Sequence, residues 1–193
     1  EVRRAGRSLR LYTNGAFHSQ WNPAHVLSGA VWDLLTLPVL HDGKTDASVL
    51  LLGVGGGTVI HQLNCLTQVS TIVGVDLDKV HLALASEVFA VCYANSTLVQ
   101  ADARDFVAQD KGEYGIVIDD IFMDGAVEPD RPPGTDDTAW LRQLTSRLSR
   151  DGTLIINCLD HLASAALFRR NSGLLRSEFH TAYQYSTPGY CNR

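Results

Sequence analysis

Between Val49 and Asp78 the chain reads VLLLGVGGGTVIHQLNCLTQVSTIVGVDLD. An apolar run, Val49 to Leu52, enters a turn that holds glycine at 53, 55, 56 and 57. An unbroken apolar run of this length is the pattern of a strand covered on both faces. Glycines let the backbone turn sharply and approach a ligand with no Cβ in the way. The helix that follows directs its free N–H groups at whatever sits on that turn. A second apolar run, Ile72 to Val75, then ends in Asp76 and Asp78. Strand, glycine turn, helix, strand and acid form the first half of a nucleotide- or nucleoside-binding βαβ unit. The chain is therefore expected to be α/β, with a mostly parallel sheet carrying helices on both faces.

The rest of the sequence extends this unit. Further strands are expected near 97–100, 114–120 and 152–158, after those at 48–53 and 71–76. Helices are expected near 57–67, 78–92, 103–109, 136–149 and 160–176. Ahead of them, Asn14-Gly15 between Leu9–Thr13 and Ala16–Gln20 supplies the two positive-φ positions of a hairpin turn. Glu1–Arg10 reads as a loose arm. Asn22-Pro23 is placed to start a helix that Pro38 ends, with Val26, Leu27, Ala30, Val31, Leu34 and Leu35 at helical spacing. One compact unit is expected, with residues 1–45 packed on a main domain of 46–193. His180–Ser186 and the residues from Tyr190 onward read as an antiparallel pair turning at Pro188-Gly189. That would bring the sheet to seven strands, the last truncated at Arg193.

Composition removes several functions. A net charge of −5 over 193 residues offers no footprint for nucleic acid or an anionic membrane. The apolar runs are far too short to span a bilayer. The four cysteines lack CxxC spacing, and the seven histidines show no HxxxH or HExxH, so reduced thiols, no metal site and a cytoplasmic protein are expected.

The candidate site residues lie where the expected strands end. A dinucleotide fingerprint, GxGxxG, would need its third glycine at Thr58, whereas the pattern here is GxGxG at Gly53, Gly55 and Gly57. Asp76, with Leu77 beside it, closes the second strand, and Asp78 is placed to cap the next helix. Asp102 and Ala103 follow the third strand, where Asp102 is either a ligand or another cap. Asp119 and Asp120 end the fourth strand and must point in opposite directions, because side chains alternate along a strand. The following segment, 121–138, is long enough to act as a lid.

The compact glycine spacing resembles motif I of the class I S-adenosylmethionine-dependent methyltransferases. More narrowly, LLLGVGGGTVIHQL, GVDLDKV, VQADARDFV and YGIVIDDIF together resemble the spermidine/spermine synthase family of that superfamily, over about residues 10–160. The resemblance implies a Rossmann-like fold and a nucleoside donor, S-adenosylmethionine or its decarboxylated form, with no metal. It implies that Gly53, Gly55, Gly56 and Gly57 underlie the donor, that Asp76 with Leu77 binds ribose, and that Asp102 and Ala103 meet adenine. It also implies a contact from the N-terminal side through His18 or Gln20, and an amine-activating acid at Asp120 or its neighbour Asp119. Relatives commonly dimerise, so a homodimer is implied too. The chain departs from the family in three places: the acid of the glycine turn is Gly56 here, the Tyr-His pair before the first strand is replaced by Leu27-Ser28-Gly29-Ala30, and DSSDP becomes Asp120-Ile121-Phe122-Met123-Asp124. A methyltransferase acting on an unidentified nucleophile is therefore the first expectation. An aminopropyltransferase is the second and a non-catalytic nucleoside-binding or assembly domain the third.

Overall fold

A computed structural model describes residues 1–123 and 129–186. Three short strands, β1 (Val2–Ala5), β2 (Ser8–Thr13) and β3 (Ala16–Trp21), form an antiparallel sheet at the N-terminus. Helix α1 (Val31–Asp42) leads into the main sheet: β4 (Ser48–Leu52), α2 (Thr58–Leu66), β5 (Thr71–Asp76), α3 (Lys79–Glu87), β6 (Ser96–Gln100), α4 (Ala103–Gln109), β7 (Tyr114–Asp119), α5 (Thr138–Thr145), β8 (Leu148–Ile156) and α6 (His161–Glu178). The five strands are parallel neighbours in the order β6-β5-β4-β7-β8. After β6 the chain crosses back over the sheet to add β7 on the other side of β4. The crevice outside β4 and β7 is thus the switch point where open α/β sheets hold ligands.

Alternation along the central strands builds a core on each face. Val49, Leu51, Ile116 and Ile118 pack with Trp32, Leu35, Ile60 and Leu63 of α1 and α2. Leu50, Leu52 and Val117 pack with Val107, Trp140, Leu141 and Leu144 of α4 and α5. All of β4 from Val49 to Leu52 is fully buried, so truncating any of these leucines to alanine should cost about 2–5 kcal/mol. The rigid strand carries the glycine turn at its carboxyl end.

Several elements differ from expectation, each for a local reason. The expected loose arm contains β1, which pairs with β2 through a turn at Gly6, where φ is +60°. The hairpin at Asn14-Gly15 forms with φ of 49° and 85°. No helix starts at Asn22-Pro23: Asn22 Oδ1 instead accepts from Ala24 N in a local turn, and Gly29 has φ +72°. Helix α1 begins at Val31, where Asp33 reaches back to accept from Ser28 N, Ser28 Oγ and Gly29 N. It continues through Pro38, because burial of Trp32, Leu35 and Val39 outweighs one missing ladder bond. Helix α3 stops at Glu87 rather than 92, since Ala90 takes φ +61° and buries Phe89 beneath it.

His180–Ser186 is not a strand. Pro188-Gly189 and the strand expected from Tyr190 lie outside the described residues, among which the main sheet has five strands rather than seven. No helix among them is long and apolar enough to cross a membrane.

Candidate functional site

The glycine turn is held rigidly from beneath. Gly53 N donates to Val75 O, Val54 N and Gly55 N both donate to Asp76 Oδ2 at 2.9 Å, and Gly57 N donates to Val54 O. Gly56 N donates to Ser19 Oγ at 2.6 Å. Every amide from Gly53 to Gly57 is thus engaged within the protein. A Cβ on Gly53 would lie 2.2 Å from Asp120 O, so glycine there is what allows the turn to touch the end of β7.

The N-terminal sheet presses on the other side of the turn. Cβ atoms on Gly55 and Gly56 would lie 2.7 Å from Ser19 Oγ and 2.9 Å from Ser19 Cβ, and the latter also 3.1 Å from the Phe89 ring. Thr58 Oγ1 donates to Gln20 O and accepts from Gln20 N, both at 3.0 Å. The Gln20 side chain turns away from the glycines: Oε1 accepts from Arg10 and Nε2 donates to Ser28 O. Ser19, which sequence reasoning passed over, is the residue of β3 that meets the turn. No signal in the sequence singles it out.

Asp76 leaves β5 with its side chain 10% exposed. Its Oδ1 accepts from Asp78 N, so its carboxylate receives three backbone N–H groups in all. Asp78 caps α3 through Val80 N. Leu77 is 68% exposed at the same edge. His81, buried beneath, links the two acids to the N-terminal sheet: its Nδ1 is 3.9 Å from Asp76 Oδ1 and its Nε2 is 2.8 Å from Thr13 Oγ1.

Asp102 caps α4 through Arg104 N and also pairs with the Arg104 guanidinium at 2.9 Å. Those donors hold its carboxyl below the usual carboxylate range. Ala103 opens α4 beside it, packed on the core of that face.

The two acids ending β7 diverge, as alternation requires. Asp119 is fully buried. Its Oδ2 accepts from Arg131 Nη2 at 2.6 Å and Trp140 Nε1 at 2.9 Å. Asp120 turns to the crevice, where Oδ1 accepts from Asn157 Nδ2 at 2.6 Å. Burial pushes the Asp120 carboxyl up to about 7, helped by Asp119 and Asp76 and opposed by Asn157 and Arg131. A carboxyl poised there can exchange a proton near neutral pH. Asn157 and Arg131 were also missed in the sequence. Asn157 interrupts the apolar run of β8 at its carboxyl end, a signal that was readable.

Arg131 ties down the segment after β7, donating also to Asn157 O and Thr135 O. Met123 and Asp130 pair their backbones across that segment. Residues 124–128, the middle of the expected lid and including Asp124, lie outside the described residues. A cavity of about 660 Å³ adjoins Asn157, walled by α1, the carboxyl half of β8 and residues 181–186. Among the described residues no cluster of three His, Cys, Asp or Glu side chains could hold a metal ion.

A parallel sheet of this order, with a glycine turn after its first strand and an acid closing its second, is the Rossmann-like fold of the class I S-adenosylmethionine methyltransferases. No family model matches the chain. A probable spermidine synthase from Corynebacterium glutamicum ATCC 13032 superposes with a TM-score of 0.75 at 17% identity, covering 93% of this chain and 67% of that one. Human methyltransferase-like protein 13 in complex with SAH superposes with a TM-score of 0.64 at 21% identity, covering 83% and 76%. The fold is the one that spermidine synthases and these methyltransferases share. In sequence, a probable polyamine aminopropyl transferase of Bifidobacterium longum (strain NCC 2705) is 27% identical over 132 residues. That match takes in 68% of this chain but only 28% of the relative's length.

Proposed function

We propose that this chain binds S-adenosylmethionine above Gly53–Gly57 and directs its methyl group to a nucleophile deprotonated by Asp120. The observation that carries the reading is the meeting of the glycine turn, Asp76 and Asp120 at one switch point, with Gly53 in backbone contact with Asp120. The SAH bound to the human methyltransferase supports a donor of this class. In this reading Asp76 accepts the ribose hydroxyls on lone pairs its three amides leave free. Leu77, Asp102 and Ala103 flank the adenine. Gly53, Gly55, Gly56 and Gly57 form the floor, and Gln20 acts only through its backbone grip on Thr58. The donor supplies an electrophilic methyl on a positively charged sulfur. The chain aligns the nucleophile and accepts its proton, and alignment accounts for much of the rate.

Methyl transfer is favoured over aminopropyl transfer by the closed space at Gly56. Ser19 and Phe89 occupy the room that an acidic side chain would need. The match to a probable polyamine aminopropyl transferase keeps aminopropyl transfer as the second reading. The same reading has a cytoplasmic enzyme with reduced Cys65, Cys92 and Cys158, acting as a homodimer.

Titration calorimetry with S-adenosylmethionine, its thioether product and the decarboxylated donor tests the proposal. The first two should bind, and Asp76→Ala should weaken both by about tenfold or more. Spermidine formed from putrescine and the decarboxylated donor would establish the second reading. Binding of none of the three would leave a non-catalytic domain.

A further inference from the structure

We infer that Asn157 is a positioning residue for Asp120: its amide pins Oδ1 and leaves Oδ2 as the atom that takes the proton. The inference rests on the proposed role of Asp120 as the base. Asn157 follows directly on β8 and is 5% exposed. Its N donates to Asp119 O at 2.9 Å, continuing the β7–β8 ladder for one residue. Its O accepts from Arg131 Nη1 at 2.9 Å. With both backbone groups held and the residue buried, its Nδ2 donates to Asp120 Oδ1 at 2.6 Å.

The chemistry of an amide suits this place. An aspartate at 157 would add a third acid beside Asp119 and Asp120, whereas the amide donates without adding charge. Among the described residues Asp120 Oδ2 has no hydrogen-bond partner. In the transfer, a proton passes from the nucleophile to Oδ2 as the nucleophile's electron pair forms its bond to the methyl carbon. The carbon–sulfur bond breaks with its electrons going to sulfur, and a neutral thioether leaves.

Asn157 also opposes the other groups that face Asp120. Asp119 precedes it, Asp76 faces it from β5, and both disfavour its charge. Arg131, reaching in from the segment after β7, favours it. A donor to the charged form lowers an acid's midpoint, so removing the donor must raise it. Arg131 stabilises the arrangement twice over, through its own charge and by holding Asn157 O.

The test is the titration of Asp120 in protein carrying 13C-labelled aspartate, followed through its carboxyl carbon and assigned with Asp120→Asn. Asn157→Leu keeps the branched heavy-atom shape and removes the donor, and the Asp120 midpoint should rise by about one pH unit or more. Arg131→Lys keeps the charge but loses the two-armed grip, and should move the midpoint upward by less. Near-UV circular dichroism establishes that each variant is folded, and Asn157→Ala stands in for Asn157→Leu should the latter not fold. A midpoint that stays in place or falls in the folded Asn157 variant overturns the inference. The titration needs no donor, so a rise in a protein that binds no S-adenosylmethionine would sink the proposed function and leave the positioning intact.

Discussion

The acid that the resemblance to spermidine synthases implies in the glycine turn would fall at Gly56, where close packing sets what any side chain costs. An alanine Cβ at 56 would lie 2.9 Å from Ser19 Cβ and 3.1 Å from the Cε1 and Cζ atoms of Phe89. Ser19 and Phe89 are each 1% exposed, so neither has solvent to move into. The φ of Gly56 is outside the left-handed region, which removes backbone strain from the ledger. Overpacking of this kind costs about 1–3 kcal/mol. Displacing Ser19 weakens the Gly56 N–Ser19 Oγ bond for about another 0.5–1.5 kcal/mol. The stiffer unfolded chain returns about 0.4–1 kcal/mol. Gly56→Ala should therefore lose about 2 kcal/mol, and Gly56→Asp more, because it also drives a charge against Phe89. Urea unfolding of Gly56→Ala, Ser19→Gly and the double variant reads this directly. Ser19→Gly removes the nearer clashing atom, so the pair should be non-additive, with at least about 1 kcal/mol recovered in the double variant. Strict additivity, or a Gly56→Ala protein within about 0.5 kcal/mol of the parent, would refute the claim that Ser19 closes this space. An acid at 56 would then be accommodated, and the packing there would no longer favour methyl over aminopropyl transfer.

Two further outcomes follow from buried groups. His61 stacks on Trp21 at 4.0 Å, its Nε2 donates to Phe89 O, and its Nδ1 accepts from Tyr93 Oη. Burial lowers it to about 4, so the native state binds fewer protons than the unfolded chain below pH 6.5. The stability it contributes is whole above pH 6.5 and is lost as pH falls through 4, amounting to about 3 kcal/mol. Asp120 acts oppositely in an overlapping window: its raised midpoint contributes stability below about pH 4 that is lost as pH rises through 7. The comparison of parent with His61→Gln, by urea unfolding from pH 7 to 4.5, cancels the Asp120 contribution, and the gap between them should narrow as pH falls. Arg131→Met should leave Asp119 buried and charged with only neutral donors, costing about 3–5 kcal/mol. Thermal unfolding measures it, and Asp119→Leu combined with Arg131→Met should recover most of the loss.

The candidate site was legible in the sequence to the extent that it depends on position along strands. Gly53, Asp76, Asp102 and Asp120 sit at the ends of strands whose apolar runs announce them, and a parallel sheet aligns those ends. Alternation foretold that Asp119 and Asp120 diverge. It could not foretell which one faces the crevice, because Arg131 and Trp140 approach Asp119 from 12 and 21 residues away. Asp102 illustrates the same limit: its cap and its pairing with Arg104 are local, whereas its exposure at the edge depends on β5 and β6.

By itself the sequence determined the central βαβ unit, the parallel class of the main sheet and the glycine turn on its first strand. These are local consequences of apolar period, of chain reversal at positive φ and of the handedness of strand crossovers. Tertiary structure alone decided that α1 starts at Val31 and not near Asn22, since Asp33 gathers the preceding backbone while the sheet covers Trp32, Leu35 and Val39. It alone brought Asn157 to Asp120 and Ser19 to Gly56. Those pairs are 37 residues apart in each case, and what joins them is the packing of β3 and β8 against the glycine turn and β7. The glycine at 56 was readable as a missing acid. That its place is already filled follows only from the strand folded over it.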